Sequence, residues 1–205
     1  MKKLIFIFLL LIPFSFLFPQ KSNEVIDRLQ KKFASIEDMQ ADFVNTISAP
    51  SGDSPQKRTG KFFYKKSNKY VFEFSNHLIV SNSKTIWNYN KKQKRVMINN
   101  TENDPSAFAF ERYIKEYPQK CDVQILGKEG SELTKIELTS KDDESEFSSI
   151  VLWIDNADLV RKFEVVNPDG ASFHFELSNI KINKGLSEAK FNFTPPEGSK
   201  IVDLR

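Results

Sequence analysis

Between Gly60 and Asn99 the chain packs five short strand-like runs, GKFFYKK, NKYVFEF, HLIV, KTIWNY and RVMI, separated by polar turns such as Ser81-Asn82-Ser83-Lys84. Side chains of a strand alternate between the two faces of its sheet, so Tyr70, Phe72 and Phe74 share one face. A sheet with that much aromatic surface on one side needs either a core to fill or a ligand to hold. The choice between the two decides what the chain does.

The remainder of the chain supplies more strands and two helices. Val25, Ile26, Leu29, Phe33 and Ile36 recur at helical spacing, which predicts an amphipathic helix over Ser22 to Met39, with Ser22 or Asn23 as its N-cap. The period drops to two at Gln40–Ser48, and Ala49–Lys57, with two prolines and a glycine, reads as a loop. Asn99–Tyr117 predicts an inserted short helix, started by Asp104-Pro105 and ended by Pro118. Strands resume at Asp122–Gly127, Leu133–Thr139, Phe147–Asp155, Leu159–Val166 and Ala171–Ile182, and a last one is expected at Lys190–Phe193. Phe147, Ile150, Leu152, Trp153 and Ile154 are apolar on both faces, the mark of a strand covered on both sides. The sum is a mainly β chain of about ten or eleven antiparallel strands. Accumulated twist curls such a meander on itself, and two apolar helices are available for its open side.

Lys2 and Lys3 precede the apolar run Leu4–Ile12, too short for a bilayer span and suited to a secretory signal over residues 1–20. The alternative is an uncleaved anchor, since no small-x-small triplet precedes Lys21. Residues 21–205 are then expected as one exported, soluble domain. Without Lys2 and Lys3 the chain keeps 28 basic against 27 acidic residues, so its charge does not argue for nucleic acid. The single Cys121 cannot form an internal disulfide, and the fold must rely on its core, for which 14 Phe remain after the signal.

No arrangement of residues points to catalysis. His77 and His174 have no neighbouring Cys or second His, Cys121 has no patterned base, and Asp142–Glu146 lacks the glycine and spacing of a calcium loop. No phosphate-cradling loop, nucleophile elbow or zinc-protease helix is present. The expectation is a protein that is not an enzyme and takes no cofactor. Lys65-Lys66, Lys91-Lys92 and Lys94-Arg95 fall at strand ends, as solubilising charges or as a docking rim for anionic surfaces.

Ile79-Val-Ser-Asn-Ser-Lys-Thr-Ile-Trp-Asn-Tyr89, Ala41-Asp-Phe43 after a helix, and Phe191-Asn-Phe-Thr-Pro-Pro-Glu-Gly198 together resemble the LolA family of periplasmic outer-membrane lipoprotein carriers, over about Glu24 to Val202. The resemblance implies an incomplete antiparallel β-barrel with a helical lid over a hydrophobic cavity. It implies acylated lipoproteins as ligands, an inner-membrane ATP-driven transporter as donor, an outer-membrane acceptor, the periplasm as location, and a monomer. Periodicity alone reads the aromatic positions as core. With the resemblance, Phe43, Tyr70, Phe72, Phe74, Ile79, Trp87, Phe163, Phe173 and Phe175 become candidates for the cavity wall, joined by Phe108 and Phe110 from the inserted helix. The family's Arg-Pro at the end of the second strand is replaced by Lys66-Ser67, so a lid latch at Lys66 lacks the planar multi-donor head of arginine. Two other readings stand beside the carrier: a periplasmic sensor module like the RseB-type regulators, which generally carry a further domain, and a carrier of another lipid or a glycolipid. The acylated cysteine of the LolB acceptors is absent.

Overall fold

The computed structural model describes residues 18–101, 110–142 and 144–205. Helix α1 (Phe18–Ala34) is followed by β1 (Asp38–Ser48), β2 (Gln56–Lys65), β3 (Lys69–Phe74), β4 (His77–Asn82), β5 (Thr85–Asn90) and β6 (Arg95–Asn100). Two short helices, α2 (Phe110–Lys115) and α3 (Tyr117–Lys120), lead to β7 (Cys121–Glu129), β8 (Leu133–Ser140), β9 (Ser149–Ile154), β10 (Val160–Val166) and β11 (Ser172–Ile182). A 3-10 turn (Glu188–Phe191) and β12 (Lys200–Asp203) finish the chain. Most of the predicted residues of the signal lie outside the described ones, and no helix among the described residues is long and apolar enough to cross a membrane.

The twelve strands of the described residues join one open sheet in the order β12-β6-β5-β4-β3-β2-β1-β11-β10-β9-β8-β7. The first half of the chain meanders outward from β1 to β6. The second half starts at the far edge with β7 and meanders back until β11 pairs with β1. The sheet curls without closing, because β7 and β12 are both edges. One face is concave and carries α1 and the α2–α3 pair; the other is partly strapped by the C-terminal segment.

The β2–β3 hairpin turns through the three residues between paired Lys65 and Lys69, with Ser67 and Asn68 both at positive φ (73° and 56°), the left-handed backbone that short polar side chains tolerate in turns. Gly60 answers a different need. Phe43, Gly60 and Phe74 are cross-strand neighbours, and a Cβ on Gly60 would lie 2.2 Å from the Glu73 carbonyl oxygen and 2.7 Å from Phe43 Cζ. The missing side chain lets the Phe43 ring lie across β2.

Two separate apolar clusters hold the sheet. The concave one joins Val25, Ile26, Leu29 and Phe33 of α1 to the inner residues of β1–β4 and β7–β11. Its centre is aromatic. The Phe72 ring lies 4.6 Å from Phe62, 5.5 Å from Phe43 and 6.0 Å from Phe175, and Phe163 stacks on Phe175 at 4.7 Å and 10°. Burying each phenyl is worth about 1.5–3 kcal/mol, and each favourable ring pair adds about 0.5–1.5 kcal/mol. The outer cluster is Phe63, Val71, Val80 and Phe191, flanked by Leu78, Trp87, Leu186 and Phe193.

Several expected boundaries move. Helix α1 begins before Ser22, which is buried inside it, and stops at Ala34, where Ser35 and Ile36 donate to Lys32 and Phe33 in a tightened last turn. The strand that follows starts at Asp38, since Asp38 is only 4% exposed and its carboxylate accepts the backbone N–H groups of Lys184, Gly185 and Leu186 at 2.8–3.1 Å. The tract read as loop gives up Gln56 and Lys57 to β2. Pro118 does not end the inserted helical region but sits in the first turn of α3, where its missing N–H costs nothing. The expected strand Lys190–Phe193 is not a strand. Ser187 caps a 3-10 turn there, and Phe191 and Phe193 keep their period of two by packing on the outer face rather than by a hydrogen-bonded ladder. The last strand is β12 instead, and it pairs parallel to β6, so among the described residues the sheet has twelve strands and one parallel ladder.

Candidate functional site

At one end of the concave face the sheet is not filled by its own side chains. A cavity of about 480 Å³ lies there, partly open to solvent. Strand register shows how it is built. Across β4, β5 and β6, Ile79, Asn88 and Met97 form one inward row, and His77, Asn90 and Arg95 form the next row toward the sheet's end. Across β1 and β2, Asn45 faces Arg58, one inward step beyond the Phe43–Gly60 pair. Phe74, Ile47, Phe173 and Val165 complete the sheet side.

The helices close the opposite side. Tyr113 and Tyr117 line the cavity with their rings 5.7 Å apart, and Phe147 packs against Tyr117 at 4.7 Å with the rings tilted by 39°. Burial pushes the hydroxyls of both tyrosines up from the usual phenol value; Arg112 opposes the rise, and the charge of Glu146, another lining residue, adds to it. Both tyrosines are therefore neutral and act as aromatic walls with a polar tip.

The helical cover is fastened at the β9–β10 turn, where Arg28 of α1 donates to the Asp158 carboxylate at 3.1 Å, and at the β2–β3 turn. Glu111 of α2 reaches it, and one carboxylate oxygen accepts both the Tyr64 hydroxyl (3.0 Å) and the Asn68 backbone N–H (2.9 Å). Burial raises the Tyr64 hydroxyl further above its ordinary value, and the Glu111 carboxylate beside it adds to the effect, so Tyr64 stays a donor. From the same turn, Lys66 Nζ reaches the Ala34 carbonyl at the end of α1 (3.4 Å) and the Glu37 carboxylate (2.7 Å). The two helices are tied to each other by Gln30, which donates to the Ile114 carbonyl at 3.0 Å.

The residues expected at the cavity separate into three groups. Phe74, Ile79 and Phe173 line it. Phe43, Tyr70, Phe72, Phe163 and Phe175 lie deeper, packed on one another within the concave core. Trp87 lies on the outer face, 6.5 Å from Phe193, because β5 turns Thr85, Trp87 and Tyr89 outward and Ile86, Asn88 and Asn90 inward. Phe108, and the side chain of Phe110 at the head of α2, lie outside the described residues. The polar wall from Asn45, Arg58, Asn88 and Arg95 was not expected from the sequence, nor was Glu111. The alternation of β5 and β6 held a signal for the polar wall, but only once a register with β4 is known.

An open curled sheet with helices laid over a cavity on its concave side defines a binding half-barrel. The chain matches the family described as Outer membrane lipoprotein carrier protein LolA over residues 34–194, and it belongs to that family. An outer-membrane lipoprotein carrier protein from Serratia proteamaculans is 26% identical over 184 residues, covering 86% of this chain and 87% of that one. The carrier from Glaesserella parasuis is 29% identical over 185 residues, covering 89% and 87%. The crystal structure of an uncharacterized conserved protein from Thermus thermophilus superposes with a TM-score of 0.58 at 16% identity, over 90% of this chain and 99% of that one, a likeness of fold.

Proposed function

We propose that this protein is an exported, periplasmic carrier that takes the acyl chains of lipoproteins into the concave cavity and shuttles them from inner to outer membrane. In this reading it receives them from an ATP-driven inner-membrane transporter and passes them to an outer-membrane acceptor. The observation that carries the reading is the cavity itself, left between an aromatic core and two tyrosines in a chain of this family. An acyl chain forfeits about 0.8 kcal/mol per CH₂ when it leaves a bilayer for water. A carrier has to replace much of that contact without holding so tightly that delivery stops. Apolar walls do this without directional bonds, and the cavity lies in the size range of about 300–1,000 Å³ common to small-ligand sites.

In the same reading the β2–β3 turn is the latch of the lid. The Lys66 contacts are at the surface, with that side chain 45% exposed, so they contribute about 0–1 kcal/mol. The Glu111 contacts are more shielded and carry the larger share. Native mass spectrometry of the protein purified from the periplasm tests the function: co-purifying acylated protein supports it, and a stoichiometric partner without acyl groups refutes it. Met97→Glu places a charge on the cavity wall and is expected to weaken displacement of a fluorescent fatty-acid probe at least tenfold. Unchanged probe binding in a folded variant would remove the cavity from the mechanism.

A further inference from the structure

The strand ladders collect positive charge at one end of the sheet. Arg95 of β6 stands between Lys200 of β12 and Asn90 of β5, and Asn90 in turn faces His77 of β4. Beyond this row the β5–β6 turn carries Lys91, Lys92 and Lys94. Lys57 and Arg58 of β2 lie beyond the Gly60–Phe74 pair at the same end. All seven cations are exposed, and among the described residues none is in an ion pair. Against them stand Glu73, which faces Lys61 across the β2–β3 ladder, and Asp53 and Glu197 in adjoining turns. The β5–β6 turn is held in place: Lys91 N–H donates to the Asn76 carbonyl at 2.9 Å, Gln93 N–H to the Asn90 amide oxygen at 3.0 Å, and Lys200 N–H to the Lys94 carbonyl at 2.8 Å. The same end of the sheet holds the cavity, with Arg58, Gln93 and Arg95 on its wall.

We propose that this end of the sheet is a docking surface for an anionic bilayer, which brings the cavity against the membrane. The proposal goes beyond the carrier reading and does not depend on it, because the lipid here is the surface met and not the cargo held. Five of the seven cations are lysines, compact point charges on flexible stems, and lysine is depleted where proteins meet proteins. Such an array suits a diffuse sheet of negative charge better than one fitted partner. The other half of the same end has the opposite character. Asp122 there is paired with Lys141 at 3.1 Å, and Asp142, Glu144 and Glu146 are exposed. An anionic surface repels these residues, so contact is confined to the β2–β6 side of the cavity. The helical cover, which adjoins the acidic half through Tyr117 and Phe147, then stays clear of the membrane.

The test is flotation of the full chain with vesicles of phosphatidylcholine alone and with phosphatidylglycerol added. The apolar run Leu4–Ile12 would favour both vesicles alike, so the ratio of the two partition coefficients reads the charge. Each lysine or arginine at an anionic surface is worth about fivefold in partitioning. Binding is expected to require phosphatidylglycerol and to fall steeply as salt is raised. Lys57→Gln/Lys92→Gln/Lys94→Gln should lower the ratio at least about thirtyfold with an unchanged melting midpoint. Lys128→Gln/Lys181→Gln/Lys184→Gln removes the same charge at the opposite end of the sheet and should stay within about threefold of the unmodified protein. Equal binding to the two vesicles, or an equal loss in the two triple variants, overturns the docking surface. Absence of binding to either vesicle overturns it as well and leaves an acidic protein as the partner of the basic end. Binding of the acyl probe reads the carrier function separately, so either idea can fail while the other stands.

Discussion

Replacing Glu111 by alanine removes the clasp between α2 and the β2–β3 turn. Two hydrogen bonds to one carboxylate are lost, at 3.0 Å from Tyr64 and 2.9 Å from Asn68, together with the ion pair to Lys115. The carboxylate is well shielded, with its side chain 13% exposed. Each hydrogen bond to a charged group is worth about 1.5–3 kcal/mol, and at the lower figure the pair contributes about 3 kcal/mol. The Lys115 pair lies along one helix and adds no more than about 0.5 kcal/mol. A loss of about 3 kcal/mol corresponds to roughly a hundredfold increase in the population with α2 detached. Amide hydrogen exchange followed by mass spectrometry reads this directly, because protection of a locally opening segment tracks its opening free energy. Residues 110–120 should exchange roughly a hundredfold faster in Glu111→Ala, while the strands from β9 to β11 keep their protection. Glu111→Gln keeps one acceptor and should fall between. Exchange in 110–120 within threefold of the unmodified protein would refute the clasp. So would an equal acceleration across every strand, which would mean that Glu111 supports the whole fold rather than the cover.

Gly60→Ala should lower the melting midpoint by roughly 5 °C, since its Cβ can be accommodated only by moving the Glu73 carbonyl or the Phe43 ring; an unchanged midpoint would contradict the packing described. Asp38 supplies a pH dependence. Burial raises its carboxyl, but the three backbone N–H donors and the charge of Lys65 together hold it below the ordinary carboxylate value. Its stabilisation is therefore present above the unfolded value of about 3.9 and is lost as pH falls through the lower folded value. Asp38→Asn should cost about 2 kcal/mol in urea unfolding at neutral pH and show a smaller loss of stability between pH 4 and more acidic conditions; parallel pH profiles would rule this out. Lys66→Ala should accelerate release of a bound acyl probe no more than about fivefold, because its contacts are exposed, and a far larger effect would move the latch from Glu111 to Lys66.

The strands were legible in the sequence because most of them carry their period openly. Tyr70, Phe72 and Phe74 do share the concave face, and Ile150, Leu152 and Ile154 are buried opposite Val151 and Trp153 as a doubly covered strand requires. The site was less legible for two physical reasons. Alternation tells which residues share a face but not which face is concave, and that depends on cross-strand register. Ile79 pairs with Asn88, so the inward side of β5 is the polar one and its aromatic side, with Trp87, turns to the C-terminal strap. The second reason is that aromatic side chains serve both as lining and as filling. Phe72 is expected at the wall, yet it is 2% exposed among the rings of Phe43, Phe62, Tyr70, Phe74 and Phe175, so the same residue type builds the floor on which the cavity ends. Long-range partners such as Glu111 and Asn68, far apart in sequence, leave no local pattern at all.

The division between floor and cavity also constrains how a ligand longer than the existing space could enter. The sheet side cannot yield cheaply, because Phe72, Phe163 and Phe175 are locked by several ring contacts, each with its own burial energy. The helix side can. Tyr113 and Tyr117 belong to two short helices, and α2 is held to the sheet's β2–β3 turn by the single carboxylate of Glu111. Displacing them costs the clasp, about 3 kcal/mol, plus the apolar contacts of two rings, and each newly sheltered methylene returns about 0.8 kcal/mol. Roughly four additional methylenes therefore offset the clasp alone, and more are needed to replace the tyrosine contacts. Probe affinity plotted against acyl length should accordingly be flat or falling once the preformed space is full and rise again for longer chains. In Glu111→Ala the second rise should begin several carbons earlier, and an identical length profile in the two proteins would show that the cover does not move when the ligand enters.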